Sequence, residues 1–181
     1  MKKSPAWEQL RQEIINKAVV HGKVTLSSGR EAEYYVDLRR VTLDAVAAPL
    51  VGTVMRELTS DLEFTAVGGL TLGADPVATA MMHDAAQAGV LLNAFVVRKS
   101  EKQHGLQKQI EGPDVSGARV LAVEDTSTTG SSVLAAVDAL DLVGATTVAV
   151  AVIVDRGAGP AVVARGFEYR TAFSLADLGL D

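Results

Sequence analysis

The 181-residue chain contains no cysteine. That excludes a disulfide framework, a thiolate nucleophile and a Cys-ligated metal, and it permits a reducing compartment. Aromatic residues make up only 4% of the chain, so most apolar positions fall to Ala, Val and Leu. A core of that kind suits helices packed on a Val-rich sheet better than an aromatic-rich β-sandwich. Long hydrophobic runs are missing too. The segment MKKSPAWEQLRQEII has no apolar stretch of signal-peptide type, and later apolar runs are broken by charge or glycine, so the expectation is a cytoplasmic protein with no membrane partner. Positive charge is scarce: 17 Lys and Arg stand against 22 Asp and Glu, a formal net charge of −5. A general nucleic-acid binder shows the opposite balance, so no nucleic-acid partner is expected and an anionic ligand must be met by a local cluster of cations.

What is present is enough for one domain, 1–181, with a full core: 48% of the residues are hydrophobic. Trp7, Leu10, Ile14, Ile15 and Ala18 keep a helical period, which predicts a helix over 5–20 with Ser4 as its N-cap and Pro5 at its first position. SSGR (27–30) is turn-rich, YYVDLRRV (34–41) is a candidate strand, and 44–58 reads as a helix with Pro49 in its first turn. From there strands at 64–70, 91–97, 119–125 and 146–155 alternate with helices at 76–88, stopped by Gly89, and 131–145, stopped by Gly144. Such alternation implies a mostly parallel α/β sheet with right-handed crossovers. The stretch 98–118 interrupts it with few apolar residues and much charge, and a long irregular loop of this kind is usually functional. No site signal is found in 161–181.

The stretch VLAVEDTSTTGSS (120–132) carries the most chemistry. A hydrophobic strand ends in Glu124 and Asp125, the turn Thr126, Ser127, Thr128, Thr129, Gly130 follows, and Ser131 and Ser132 open a helix. Amides at a helix N-terminus favour a phosphate, Gly130 lets the backbone approach closely, and the hydroxyls add donors. Two carboxylates just upstream accept hydrogen bonds from neighbouring sugar hydroxyls. Together these describe a ribose 5-phosphate site. The alternative is a solvated acid pair with Ser131 capping the helix. The string is neither a Walker A loop nor a Gly-x-Gly-x-x-Gly loop. A second cluster, Arg98, Lys99, Lys102 and His104 before Gly105, is either a solvated charged loop or the cation source that an acidic protein needs for an anionic ligand.

The string 120–132 resembles the signature of type I phosphoribosyltransferases, and three further segments resemble the orotate phosphoribosyltransferase family. RKxxKxHG (98–105) is similar to that family's flexible catalytic loop, LSSGREAEYYVDLR (26–39) to its N-terminal hood, and VDRGAG (154–159) to its strand-end Asp-Arg. The resemblance covers about residues 20–160. It implies a mostly parallel twisted sheet flanked by helices, with a small hood (about 1–40), a core (about 41–160) and C-terminal elements (161–181). It implies the reaction of orotate with 5-phosphoribosyl 1-diphosphate (PRPP) to give orotidine 5′-phosphate and pyrophosphate, the step that makes the first pyrimidine nucleotide. Mg²⁺ would be carried by PRPP, since the chain shows no dedicated carboxylate cage.

By the same resemblance, Arg98, Lys99, Lys102 and His104 contact the pyrophosphate, and the loop closes from the neighbouring subunit of a homodimer. Lys102 and His104 receive the leaving charge while Asp125, with Glu124, holds the ribose. Tyr34 or Tyr35 faces the pyrimidine, Arg156 recognises the orotate carboxylate, and Thr128 touches orotate. Without the resemblance, Arg156 reads equally as a surface arginine paired with Asp155. Two positions depart from the family pattern: Ser27 and Leu72 stand where lysines are usual. Alternatives left open are a phosphoribosyltransferase acting on a purine base and a non-catalytic PRPP-sensing regulator.

Overall fold

The computed structural model describes residues 3–25, 31–99 and 109–180. Ser4 caps the first helix: its Oγ accepts from the Trp7 amide at 3.1 Å, and Pro5 fills the first position of α1 (Pro5–Glu13). Trp7, Leu10, Ile14 and Ala18 are all buried, as their spacing requires. The α-helix nevertheless stops well short of residue 20. Over Ile14–Ala18 the hydrogen bonds widen to a π-turn, with Val19 N donating to Ile14 O, and strand β1 (Val19–Thr25) begins there. Periodicity runs through this break because a π-turn keeps Ile14 and Ala18 on the core side.

Strand β2 (Glu31–Val36) pairs antiparallel with β1 as a separate two-stranded sheet. The strand expected over 34–41 therefore ends at Val36. Asp37 Oδ1 accepts from both the backbone amide and Nε of Arg39, a local alternative to strand pairing, and the short helix α2 (Arg39–Thr42) follows. Helix α3 (Ala47–Leu58) starts later than residue 44 for a similar reason: Asp44 Oδ1 accepts from the amides of Val46 and Ala47 at 2.9 Å each.

The predicted alternation builds a six-stranded sheet in the order β5-β4-β3-β6-β7-β8. Its parallel members are β3 (Ala66–Leu70), β4 (Asn93–Val97), β6 (Arg119–Ser127), β7 (Thr146–Asp155) and β8 (Tyr169–Phe173). Two short strands differ from expectation. β5 (Ile110–Glu111) lies antiparallel to β4 inside what reads as an irregular loop, and β8 closes the far edge from within the tail. Neither carries the apolar run that marks a strand in sequence. Helix α4 (Ala74–Gln87) starts two residues before Pro76, whose missing N–H costs nothing in the first turn. Helix α5 (Ser131–Leu142) and α4 both terminate on left-handed glycines, Gly144 at φ 76° and Gly89 at φ 72°.

Side chains alternate across β6. Leu121 and Val123 join α1, α3 and α4 on one face, whereas Val120 and Ala122 meet α5 and α6 (Gly159–Ala164) on the other. The large core side chains are fully buried, each contributing about 1.5–3 kcal/mol. One close approach sets the helical layer. A Cβ on Gly52 of α3 would collide with the backbone of Ala80 in α4. Gly52→Ala is expected to cost about 1–3 kcal/mol and to lower the thermal unfolding midpoint by roughly 2–4 °C per kcal/mol; an unchanged midpoint would show that the helix pair tolerates separation.

Candidate active site

In the sheet order, the chain leaves β3 toward β4 on one side, while β6 lies against β3 on the other. Ligands bind at such a switch, in the crevice beyond the carboxyl ends of the strands. The segments that meet here are the turn after β3, the acid pair of β6 and the turn after β7. The contact between the first two is tight. A Cβ on Gly73 would run into Glu124 Oε1 and come within 2.7 Å of Asp125 Oδ1. The peptide between Thr71 and Leu72 is cis, Thr71 N donates to Val97 O at 2.8 Å, and Thr71 Oγ1 donates to Asp75 Oδ2 at 2.7 Å. Asp75, in the first turn of α4, thus holds the loop from below, and its other oxygen is buried without a hydrogen-bond partner among the described residues.

Glu124 is 5% exposed and Asp125 is half-buried. Glu124 Oε1 accepts from the Asp125 amide at 3.2 Å, and Asp125 Oδ1 accepts from the Thr126 amide at 2.6 Å. Burial, and then the adjacent Asp125 charge, pushes the Glu124 carboxyl up to about 8. In the ligand-free protein this acid therefore holds its proton near neutrality and is a donor as well as an acceptor.

Strand β6 runs two residues past Asp125, to Ser127, whose side chain is buried. The exposed turn is Thr128 and Thr129, followed by Gly130 at φ 78°. Helix α5 has no side-chain cap. The Ser131 hydroxyl pairs with Thr129 Oγ1 at 3.0 Å, and its own amide reaches the same oxygen at 3.4 Å. The alternative in which Ser131 caps the helix is thus not what forms; Gly130 occupies the cap position and the first-turn amides of Ser132 and Val133 have no side-chain acceptor.

Beyond β7, Arg156 N donates to Ser127 O at 2.8 Å, which sets Arg156 beside the Thr128 turn. Arg156 and Asp155 are not paired. Asp155 Oδ1 instead accepts from Gly157 N at 3.0 Å, Ala158 N at 2.9 Å and the Tyr169 hydroxyl at 2.8 Å. The half-buried Arg156 guanidinium has no partner among the described residues.

The other expected site residues divide. Tyr34 is turned to the core, its hydroxyl donating to Leu180 O at 2.8 Å, so Tyr35 is the ring left on the opposite face of β2. Arg98 sits at the base of the basic loop, its amide donating to Gln109 O at 2.8 Å and its guanidinium 3.5 Å from Glu111; Lys99 follows it. Lys102, His104 and Ser27 lie outside the described residues. Three residues went unread in sequence. Arg39 pairs through Nε with Asp37 at 2.8 Å, and Asp37 first, with Tyr35 and Asp125 adding, raises its guanidinium further; it is a cation close to the site. The first basic residue after YYVD was the available signal. Asp75 was signalled only as an acid in a first helical turn, and Tyr169 had no local signal at all.

Residues 41–168 match the phosphoribosyl transferase domain family. Over 175 residues the chain is 62% identical to an orotate phosphoribosyltransferase of Streptomyces avermitilis, covering 95% of this chain and 96% of that one. It is 58% identical over 179 residues to an orotate phosphoribosyltransferase of Mycobacterium tuberculosis, covering 98% of each. A crystal structure of the Mycobacterium tuberculosis protein in complex with PRPP matches with a TM-score of 0.85 and 53% identity, over 97% of this chain and 100% of that one.

The raised Glu124 carboxyl makes stability depend on pH. Below pH 4.5 the group is protonated in both folded and unfolded chains; from there to about 8 only the unfolded chain releases the proton, so stability falls as pH rises through that window. Asp44 and Asp61, held near 2 by Lys17 and Arg170 respectively, lose their contributions only in acid. Thermal melts of the ligand-free protein are expected to show a midpoint that declines between pH 5 and pH 8, and a flatter profile for Glu124→Gln. Equal slopes in the two proteins would remove Glu124 as the cause.

Proposed function

The chain belongs to the orotate phosphoribosyltransferase family, and from that premise we propose that the crevice between β3, β6 and β7 is where PRPP and orotate meet. The enzyme is a glycosyltransferase that moves the 5-phosphoribosyl group of PRPP onto orotate, releasing pyrophosphate. The observation that carries the site reading is the contact of Gly73 with both acids, because it puts a backbone loop for pyrophosphate against two carboxylates for ribose.

Asp125 and Glu124 accept hydrogen bonds from the ribose hydroxyls, and the Glu124 proton relieves the repulsion that two adjacent anions would otherwise suffer. The 5-phosphate lies on the turn from Thr126 to Ser132, where the uncapped amides of α5 and the exposed hydroxyls of Thr128 and Thr129 supply donors. The amides of residues 70–73 receive pyrophosphate as a nest. Magnesium would fit this corner: Glu124 and Asp125 present hard oxygen donors, and an ion carried by PRPP would supply neutralisation of the pyrophosphate charge. Arg156, unpaired by its neighbours, meets the orotate carboxylate as a planar fork, with Tyr35 and Thr128 beside the ring.

Positive charge grows on the ribose as the bond to pyrophosphate breaks, and the orotate ring nitrogen closes on the same carbon, so no covalent protein intermediate forms. Lys99, Lys102 and His104 stabilise the departing charge, with His104 assigned as its proton donor. We assign this loop to the neighbouring subunit of a homodimer. Its support on the surface is an apolar groove of about 580 Å³ between α3 and α4, lined by Leu43, Pro49, Leu72 and Ala80. Leu43 and Leu72 are 69% and 58% exposed there, and Leu72 belongs to the pyrophosphate loop. A cytoplasmic location completes the reading, since a polyphosphorylated sugar does not cross bilayers; cell fractionation checks it.

Gly73→Ala is expected to displace the two carboxylates and raise the KM for PRPP by about tenfold or more, while the midpoint of unfolding stays within a few degrees. A normal KM would separate the loop from the ribose acids. Lys102→Ala is expected to lower kcat by ~10²-fold. Co-assembled Lys102→Ala and Asp125→Ala subunits should regain activity that neither has alone, because one mixed site then has both residues. Silence of the mixture would refute loop sharing.

A further inference from the structure

The tail of the chain reaches the base-binding turn through one side chain. Tyr169, the first residue of β8, sends its hydroxyl 2.8 Å to Asp155 Oδ1 at the end of β7. That oxygen also accepts from the amides of Gly157 and Ala158. It is therefore one acceptor shared by the Gly157 and Ala158 amides and the Tyr169 hydroxyl. The fold there is demanding: Gly157 takes φ 111°, a conformation that other residues rarely adopt. The Tyr169 ring is half-buried against Val162 and fills the space above Gly159, where an added Cβ would touch it at 3.4 Å. Between Asp155 and Gly157 stands Arg156, whose amide is fixed to Ser127 O and whose guanidinium has no protein partner among the described residues.

We propose that Tyr169 is a positioning residue for recognition of the base: its hydroxyl holds Asp155 as a three-way acceptor, and the turn so fixed aims Arg156 at the carboxylate of a planar heterocycle. The physical logic is one of competition. A free Asp155 carboxylate next to Arg156 would form an ion pair with it and take the fork away from the ligand. Three donors on Oδ1 hold the acid turned inward, and the guanidinium is left for an outside anion. Burial of the Tyr169 hydroxyl and the adjoining Asp155 charge both raise its ionisation well above the usual phenol range, so it remains a donor across the working pH. This inference rests on the reading that Arg156 binds the orotate carboxylate.

The test is steady-state kinetics of Tyr169→Phe, Arg156→Ala and the double variant, each checked by thermal unfolding. Tyr169→Phe should raise the KM for orotate by about tenfold, the scale of one lost hydrogen bond acting through a neighbour. It should leave the KM for PRPP within about twofold, since the ribose and phosphate contacts lie on other segments. The double variant should be no weaker toward orotate than Arg156→Ala alone. If Arg156→Ala weakens orotate and Tyr169→Phe does not, the positioning role is wrong while the base reading stands. Multiplying losses in the double variant would also overturn it, as would equal rises in both KM values, which mean general loosening. If Arg156→Ala itself leaves orotate unaffected, the base reading fails and this inference goes with it.

Discussion

Two carboxylates on consecutive residues near the carboxyl end of a buried strand repel each other, and the turn after β3 and the helix behind it are built around that pair. Glu124 is almost wholly buried, so its charged form loses water as well as facing Asp125. Retaining a proton is the available relief. Gly73 makes the arrangement possible, because only a residue without a side chain lets the turn after β3 close on both acids. Asp75, hydrogen-bonded to Thr71, then keeps that turn in place from the first turn of α4. The strained corner is the place where a ligand rich in hydroxyls has most to offer, since each sugar O–H that reaches a carboxylate replaces repulsion with attraction.

Cations near this corner are held by other partners or stand unpaired. Arg39 is retained by Asp37, Arg98 stands 3.5 Å from Glu111, and Asp155 is occupied by other donors, so Arg156 is not drawn to it. An exposed pair such as Arg98 and Glu111 contributes at most about 1 kcal/mol, so a pyrophosphate can compete for the arginine. In a chain of net charge −5, with Ser27 and Leu72 in place of two family lysines, such loosely held arginines are the reserve of positive charge. Arg39 is notable in that respect, as a cation from the hood side that feels the charge of Asp125 as well as that of Asp37.

The elements that could be read in the amino-acid order are those with local causes. Ser4 and Pro5 announce α1, the Val-rich run 146–155 announces β7 to the residue, and Gly89 and Gly144 mark where two helices stop. The acid pair and its turn were equally visible, because strand, carboxylates, glycine and helix start are contiguous in 120–132. Residues alone left the purine-base and regulator alternatives open; relatives 58–62% identical over nearly the whole chain are orotate phosphoribosyltransferases. What escaped depends on long-range partners. The π-turn at Ile14–Ala18 preserves the apolar period it interrupts, β5 and β8 exist only because a neighbouring strand offers them an edge, and nothing near Tyr169 points to Asp155. Between Tyr34 and Tyr35, only the bond to Leu180 O assigns one ring to the core.

The last twelve described residues, without a motif of their own, join the parts that must cooperate. Trp7 of α1 donates to Ala172 O at 2.8 Å and stacks on Phe173; Tyr34 of the hood donates to Leu180 O; Tyr169 fixes the turn of Arg156. β8 is also the edge strand of the sheet, paired with β7 from Val150 to Val154. One short segment thus holds the hood hairpin, the N-terminal helix and the base turn in a common frame. If the base site is shared as proposed between Tyr35 of the hood and Arg156 of the sheet, a shift of about 1 Å between the two groups is costly to a site that works by position. On that proposal, a tail with no chemistry of its own has a physical reason for its sequence: it ties the hood and the turn of Arg156 to one strand.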